Sequence, residues 1–109
     1  MKSIIDGFRY DTEKAEKVAE YSYGNSGDFS HQEFGIYRTP RGHWFLAGSG
    51  GPLTRFARSA GQNQMTGGSR IIRLNVDQLL DLIEQIQDSA EDIEKVFDYP
   101  EVMEQIKDA

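Results

Sequence analysis

Six arginines are the side chains of this sequence with the clearest chemical potential. Residues 35–75 contain no aspartate, glutamate or lysine, so these arginines are the only charged side chains in that segment. A planar guanidinium can donate two parallel hydrogen bonds to a phosphate or a carboxylate, and an arginine-only segment is therefore typical of anion recognition. The candidate anion-binding residues are Arg38, Arg41, Arg55, Arg58, Arg70 and Arg73.

Carboxylates dominate the chain directly after this arginine segment. Residues 75–109 hold 11 acidic and 2 basic side chains, a net charge of −9, whereas residues 1–74 hold 7 acidic and 10 basic ones, a net charge of +3. Fields of opposite sign at two ends of a small protein attract different surfaces. We expect a basic protein partner to contact the acidic row Asp77, Asp81, Glu84, Asp88, Glu91, Glu94, Asp98 and Glu101.

The first four acids of this row recur at spacings of four, three and four residues, which places them on one face of a helix. At the helical rise, successive carboxylates lie roughly 5–6 Å apart along the axis. Phosphates of one nucleic-acid strand follow each other at about 3.4 Å of axial rise and at a larger spacing along the backbone, which is comparable, so the row could imitate nucleic acid for a basic channel. Two simpler hypotheses stay open. The acids could form an ordinary solvated helix face, or they could fold back and neutralise the arginines.

Catalytic chemistry has little support in the sequence. The chain has no cysteine and two histidines, and no recognisable motif places a nucleophile beside a base. We therefore predict a non-enzymatic protein with no metal and no cofactor. A glycine-rich turn at residues 48–51 could present backbone N–H groups to an anion, but it lacks the Lys-Ser/Thr pair of a P-loop. The runner-up hypothesis is a small nucleic-acid-binding or phosphate-binding regulatory module that uses the arginines.

The length and patterning predict how these residues are held in place. A chain of 109 residues suits one domain, with a sheet-rich body at 1–74 and an acidic helical part at 75–109. No apolar run is long enough for a membrane span, and we expect a cytoplasmic location. The predicted class is α+β. About five antiparallel strands, two hairpins plus one strand, are covered by an N-terminal helix and by the acidic C-terminal helices.

Individual elements follow from local signals. Asp6-Gly7 between apolar arms predicts a type I′ hairpin at 4–10, and Asn75 with Gln78 predicts a capping box. Strands are predicted at 33–38, 43–47 and 69–74, and a polar loop at 22–30. Helices are predicted at 11–21, 75–86, 89–97 and from Pro100, with a further short one possible at 52–60. The predicted common core is Trp44, Phe45, Leu46, Ile72, Leu79, Leu80 and Ile83.

Three short motifs carry a resemblance to a known family. They are Ile-Ile-x-Gly-x-x-Tyr-Asp-Thr at residues 4–12, Phe-Leu-x-Gly-x-Gly-Gly at 45–51, and Gly-Gly-x-x-Ile-Ile at 67–72. With them, the chain resembles a family of small, mostly uncharacterised proteins of bacterial phages, prophages and mobile elements. Ser49 and Arg73 depart from that family's pattern, which has an acid and a proline at these positions.

The resemblance implies an inhibitor of host defence of the anti-CRISPR type, because small acidic proteins from such settings often have that role. CRISPR effectors hold nucleic acid in positively charged channels, which is compatible with an acidic partner. The expected partner is a CRISPR effector or another nucleic-acid-handling complex of the host cytoplasm.

Overall fold

The structure of the protein, a computed structural model, describes residues 1–25 and 27–109. Ser26, within the predicted loop at 22–30, lies outside the described residues. Within them, the strands are β1 (Lys2–Ile5), β2 (Phe8–Asp11), β3 (Glu16–Tyr23), β4 (Gln32–Arg38), β5 (Trp44–Gly50), β6 (Arg58–Ser59), β7 (Met65–Thr66) and β8 (Gly68–Leu74). Helix α1 (Val76–Ile86), a 3-10 helix (Ile93–Asp98) and helix α2 (Pro100–Met103) follow. This is an α+β fold, and the predicted class is confirmed.

The main sheet has four antiparallel strands in the order β3-β4-β5-β8. Strand β5 lies inside the sheet, and its consecutive residues Trp44, Phe45, Leu46 and Ala47 are all buried. Neighbouring strand residues point to opposite faces, so burial of all four requires cover on both sides of the sheet. The strand predicted at 43–47 is confirmed.

The N-terminal hairpin forms as predicted but does not join the main sheet. Asp6 and Gly7 have φ of 51° and 81°, as the type I′ turn requires, and Ile5 pairs with Phe8. The prediction of one sheet of about five strands is therefore wrong: β1 and β2 form a two-stranded sheet of their own, as do β6 and β7. The two strands of the hairpin pair with each other. Tyr10 packs edge-on against Phe45 of the main sheet, with ring centroids 5.5 Å apart.

The N-terminal helix predicted at 11–21 is wrong, because most of this segment belongs to β3. Strand β3 pairs with β4 from Glu16↔Arg38 to Tyr23↔Gln32, and the register shifts between Lys17 and Ala19. At this bulge Val18 and Ala19 are both buried, which breaks the alternation of a strand. The helix was predicted because Ala15, Val18, Ala19 and Ser22 recur at helical spacing.

The helix considered for 52–60 is also absent. Thr54 closes turns instead: its Oγ1 donates to the Gly51 carbonyl at 2.8 Å and accepts from the Phe56 N–H at 3.2 Å. Local side-chain bonds of this kind compete with helix formation. Within this segment Leu53 is 71% exposed, whereas Phe56 is fully buried. Strand β5 runs on to Gly50, so the glycines at 48–51 do not open a helix that could bind an anion.

The helical part covers one face of the sheet. Asn75 accepts from the Gln78 N–H at 2.8 Å and Gln78 caps in return, which confirms the capping box. The helix predicted at 89–97 is instead the 3-10 helix, which begins after Asp92 at φ 60°. No helix in the described residues is long and apolar enough to cross a membrane.

The predicted single core is split in two by the sheet. The larger cluster lies between the sheet and the helices and includes Trp44, Leu46, Leu79 and Ile83. Ile72 and Leu80 are only partly buried against it. Phe45 points the other way, into a smaller cluster with Tyr10, Ala47 and Ile71 under the hairpin. Its placement in the same core was wrong, because neighbours along a strand face opposite sides.

Candidate interaction surfaces

The acidic row is almost entirely exposed. Its carboxylates up to Asp98 are all on exposed residues, and only Glu101 is partly buried. Ion pairs in residues 1–25 and 27–109 involve Glu101 but none of the other seven acids of the row. These seven carboxylates are therefore exposed to solvent, and none of them makes a direct ion pair with a cation of the described residues.

Helix α1 organises the start of the row. Asp77, Asp81 and Glu84 lie on its solvent side, while Leu79, Leu82, Ile83 and Ile86 are buried against the sheet. Asp88 follows the end of the helix at Ile86, so the prediction that four acids share one helix is correct for three. The row then continues over the 3-10 helix with Glu94 and Asp98.

Glu101 has a different role, because it ties helix α2 to the sheet. Its Oε1 accepts from Arg38 Nε at 2.6 Å, and its Oε2 from Arg38 Nη2 at 3.3 Å. The Arg38 guanidinium also lies 4.6 Å from the centre of the Tyr99 ring. The bond from Arg38 lowers the pKa of the Glu101 carboxyl, so the pair remains ionised at neutral pH.

The hypothesis that the acidic helices neutralise the arginine segment is wrong for every arginine of the segment except Arg38 and for every acid of the row except Glu101. Within the described residues, Arg38–Glu101 is the one ion pair between them. Arg73 pairs instead with Asp6 of the hairpin, at 2.7 Å. Apart from this pair, the acids of the row and the arginines therefore do not neutralise each other through ion pairs within the described residues.

The six arginines do not gather into one patch. Arg55 lies 5.3 Å from the centre of the Phe34 ring and donates to Gln32 at 3.2 Å, and its burial lowers the pKa of its guanidinium. Arg58 donates to the Ser69 carbonyl at 3.0 Å. Arg70 is exposed on β8, directly after Ser69. Arg55, Arg58 and Arg70 thus belong to the end of the sheet near β6, because Phe34 and Arg70 both pair with Gly48.

The remaining arginines lie elsewhere. Arg38 is held by α2, Arg73 by the hairpin, and Arg41 lies in the turn between β4 and β5, 5.7 Å from the centre of the Phe8 ring. The candidate anion surface is therefore reduced from six arginines to the group Arg55, Arg58 and Arg70.

A pocket that the sequence reasoning missed lies between the hairpin and the β4–β5 turn. It has a volume of about 370 Å³ and is lined by Phe8, Arg9, Tyr10, Asp11, Lys14, Ala15, Thr39, Pro40, Arg41 and His43. The sequence does show aromatic residues next to cations in both segments that form the pocket. These two segments, 8–15 and 39–43, are about 30 positions apart along the chain. Their meeting depends on where the hairpin lies on the sheet.

Comparison of the chain with protein-family models, with curated proteins and with solved structures finds no match. The resemblance to a phage and mobile-element family stays a prediction.

Proposed function

We propose that this protein is a non-enzymatic interaction protein that inhibits a host nucleic-acid-handling complex by binding a basic surface of that complex with its acidic row. The observation that carries the proposal is the absence of cation partners for seven of the eight acids in the described chain. An acidic face that served only internal stability would be expected to contact the nearby arginines. This one leaves its charge available to another molecule.

Charge arranged in this way acts chiefly on the rate at which the two partners associate. A net charge of −9 over 35 residues steers the protein towards a basic surface and raises the association rate, an effect that weakens as salt is added. Nucleic-acid-binding channels carry the complementary charge because they neutralise phosphates with Lys and Arg. The regular spacing of Asp77, Asp81 and Glu84 along α1 supports the row as a substitute for part of a phosphate backbone.

The inhibitory role and the kind of complex come from the family resemblance. An anti-CRISPR protein that occupies the channel of an effector would exclude the guide–target duplex, since that duplex is held through its backbone. Such a protein needs no catalytic group, which agrees with a sequence that offers no nucleophile beside a base.

The test is capture of the partner from a bacterial lysate with the tagged protein, followed by mass spectrometry. Subunits of a CRISPR effector or of another nucleic-acid-handling complex are expected. The triple variant Asp77→Asn, Asp81→Asn and Glu84→Gln should lose this capture, and with the isolated complex it should associate more slowly and with weaker salt dependence.

A matched control removes three negative charges from another surface. Glu13, Glu16 and Glu33 are exposed and in no ion pair within the described chain, so their replacement by Gln changes the net charge equally. This control should retain capture. Equal loss in both triple variants would mean that net charge alone matters, and unchanged binding of the α1 variant would refute the acidic row as the interface.

The runner-up function, nucleic-acid binding by arginine, is favoured by the group at the β6 end of the sheet. This function assigns binding to the arginines and none to the acidic row. Arg55→Ala with Arg58→Ala would abolish binding of a purified single-stranded oligonucleotide, while the acidic variant would bind it as well as the wild type or better.

A further inference from the structure

The pocket between β2 and the β4–β5 turn has the shape of a small-ligand site. The hairpin lies across the sheet with Tyr10 against Phe45, and this leaves a gap beside the turn that Thr39 and Gly42 close with a 2.9 Å backbone bond. The resulting volume of about 370 Å³ lies within the ~300–1,000 Å³ range of known ligand pockets.

Aromatic and apolar groups line its interior. Phe8 is 40% exposed, yet its ring lies 4.9 Å from the His43 ring, measured between centroids, and Tyr10 lies 6.3 Å from the same ring. Ala15 and Pro40 add apolar surface. The Arg41 guanidinium also lies 5.7 Å from the centre of the Phe8 ring, so a flat aromatic group would stack on the exposed part of Phe8 beside this cation.

Cations surround this apolar interior. Arg9, Lys14 and Arg41 line the pocket, and none of them is in an ion pair within residues 1–25 and 27–109. The one carboxylate of the lining, Asp11, is buried, and its Oδ1 already accepts from the Glu13 N–H at 2.9 Å. The pocket therefore combines a stacking surface with an excess of positive charge at its rim.

We propose that this pocket binds a nucleotide, with the base on the apolar interior and the phosphate at Arg41, Lys14 and Arg9. A lone phosphate would leave the apolar interior uncovered, and a neutral aromatic molecule would leave the three cations without a counter-charge. A nucleotide satisfies both requirements in one molecule. The site is separate from the acidic row of the proposed function, so either proposal can fail without the other.

The experiment is an NMR titration of the isotope-labelled protein with adenosine 5′-monophosphate, adenosine, inorganic phosphate and a short single-stranded oligonucleotide. The monophosphate should bind at least tenfold more tightly than adenosine or phosphate, with shifts at Phe8, Tyr10 and His43. Tighter binding of the oligonucleotide at the same residues would identify a strand as the source of the nucleotide. Free monophosphate as the tighter ligand would identify a soluble nucleotide.

Two variants separate the stacking from the charge. Phe8→Ala should weaken binding about tenfold, as expected for loss of one stacked base. Arg41→Ala should weaken it about tenfold and reduce its salt dependence. Lys107→Ala is the matched control, because Lys107 is exposed, outside the pocket lining and in no ion pair within the described residues. It removes the same charge and should leave the affinity unchanged.

The same spectra report whether each variant is folded, and Phe8→Leu replaces Phe8→Ala if the latter unfolds. Absence of saturable monophosphate binding would overturn the proposal. So would equal affinity for phosphate and for the monophosphate, or equal loss of affinity in Arg41→Ala and Lys107→Ala.

Discussion

Two adjacent leucines of α1 allow a sharp test of how the helical part packs on the sheet. Leu79 is fully buried in the larger cluster, whereas Leu80 is only partly buried at its margin. Replacing each by alanine removes the same atoms and changes helix propensity equally. Any difference between the two variants therefore reports burial and packing alone.

The expected costs follow from these environments. Leu79→Ala removes three buried carbon atoms, worth about 0.8 kcal/mol each, and leaves a cavity among rigid neighbours. The total falls in the range of roughly 2–5 kcal/mol observed for buried Leu→Ala changes. Leu80 already contacts water, so both the transfer contribution and the cavity are smaller, and we expect about 1–2 kcal/mol.

Urea unfolding followed by circular dichroism measures both costs. If the slope with urea is unchanged, the shift of the midpoint reports the loss of stability directly. A Leu80→Ala loss equal to or larger than that of Leu79→Ala would refute the packing described here, because it would mean that α1 is rotated about its axis.

Two further predictions concern single contacts of the helical part. Asn75→Ala should cost about 1 kcal/mol, since the Gln78 N–H loses its cap, and an unchanged urea midpoint would contradict the capping box. Glu101→Gln should change the pH dependence of stability. Because Arg38 lowers the folded-state pKa of Glu101, the ionised pair stabilises the protein above the unfolded pKa, and this contribution is lost as the pH falls through the lower folded pKa. The variant should be less stable than the wild type at neutral pH and lose less stability on acidification; parallel pH profiles would exclude this role for the pair.

Local signals in the sequence were sufficient for some elements. The hairpin at Asp6-Gly7 and the capping box at Asn75 each depend on a few neighbouring residues, and both were predicted correctly. The apolar run at 43–47 was also sufficient to predict strand β5. Each of these elements has one physical requirement: a positive φ, a helix cap, or cover on two faces. In each case a few neighbouring side chains meet this requirement or indicate it.

Strand β3 shows where local reading failed. Its bulge at Val18–Ala19 exists only in the pairing with β4, whereas the sequence alone shows small and apolar residues at 15, 18, 19 and 22, which have helical spacing. The segment 52–60 is a similar case. Thr54 donates a hydrogen bond to the Gly51 carbonyl and forms a turn where a short helix was considered.

The sequence by itself determined the α+β class, the separation of positive and negative charge along the chain, and the face of α1 that carries the acids. These properties depend on composition and on short-range periodicity. Only the tertiary structure decided that Arg38 is the one arginine of the described residues in an ion pair with the acidic row, that the arginines divide among separate surfaces, and that Phe8 and Arg41 meet at one pocket. Such contacts join residues far apart in the chain, and they are set by strand order and by the position of the hairpin on the sheet, which no local pattern encodes.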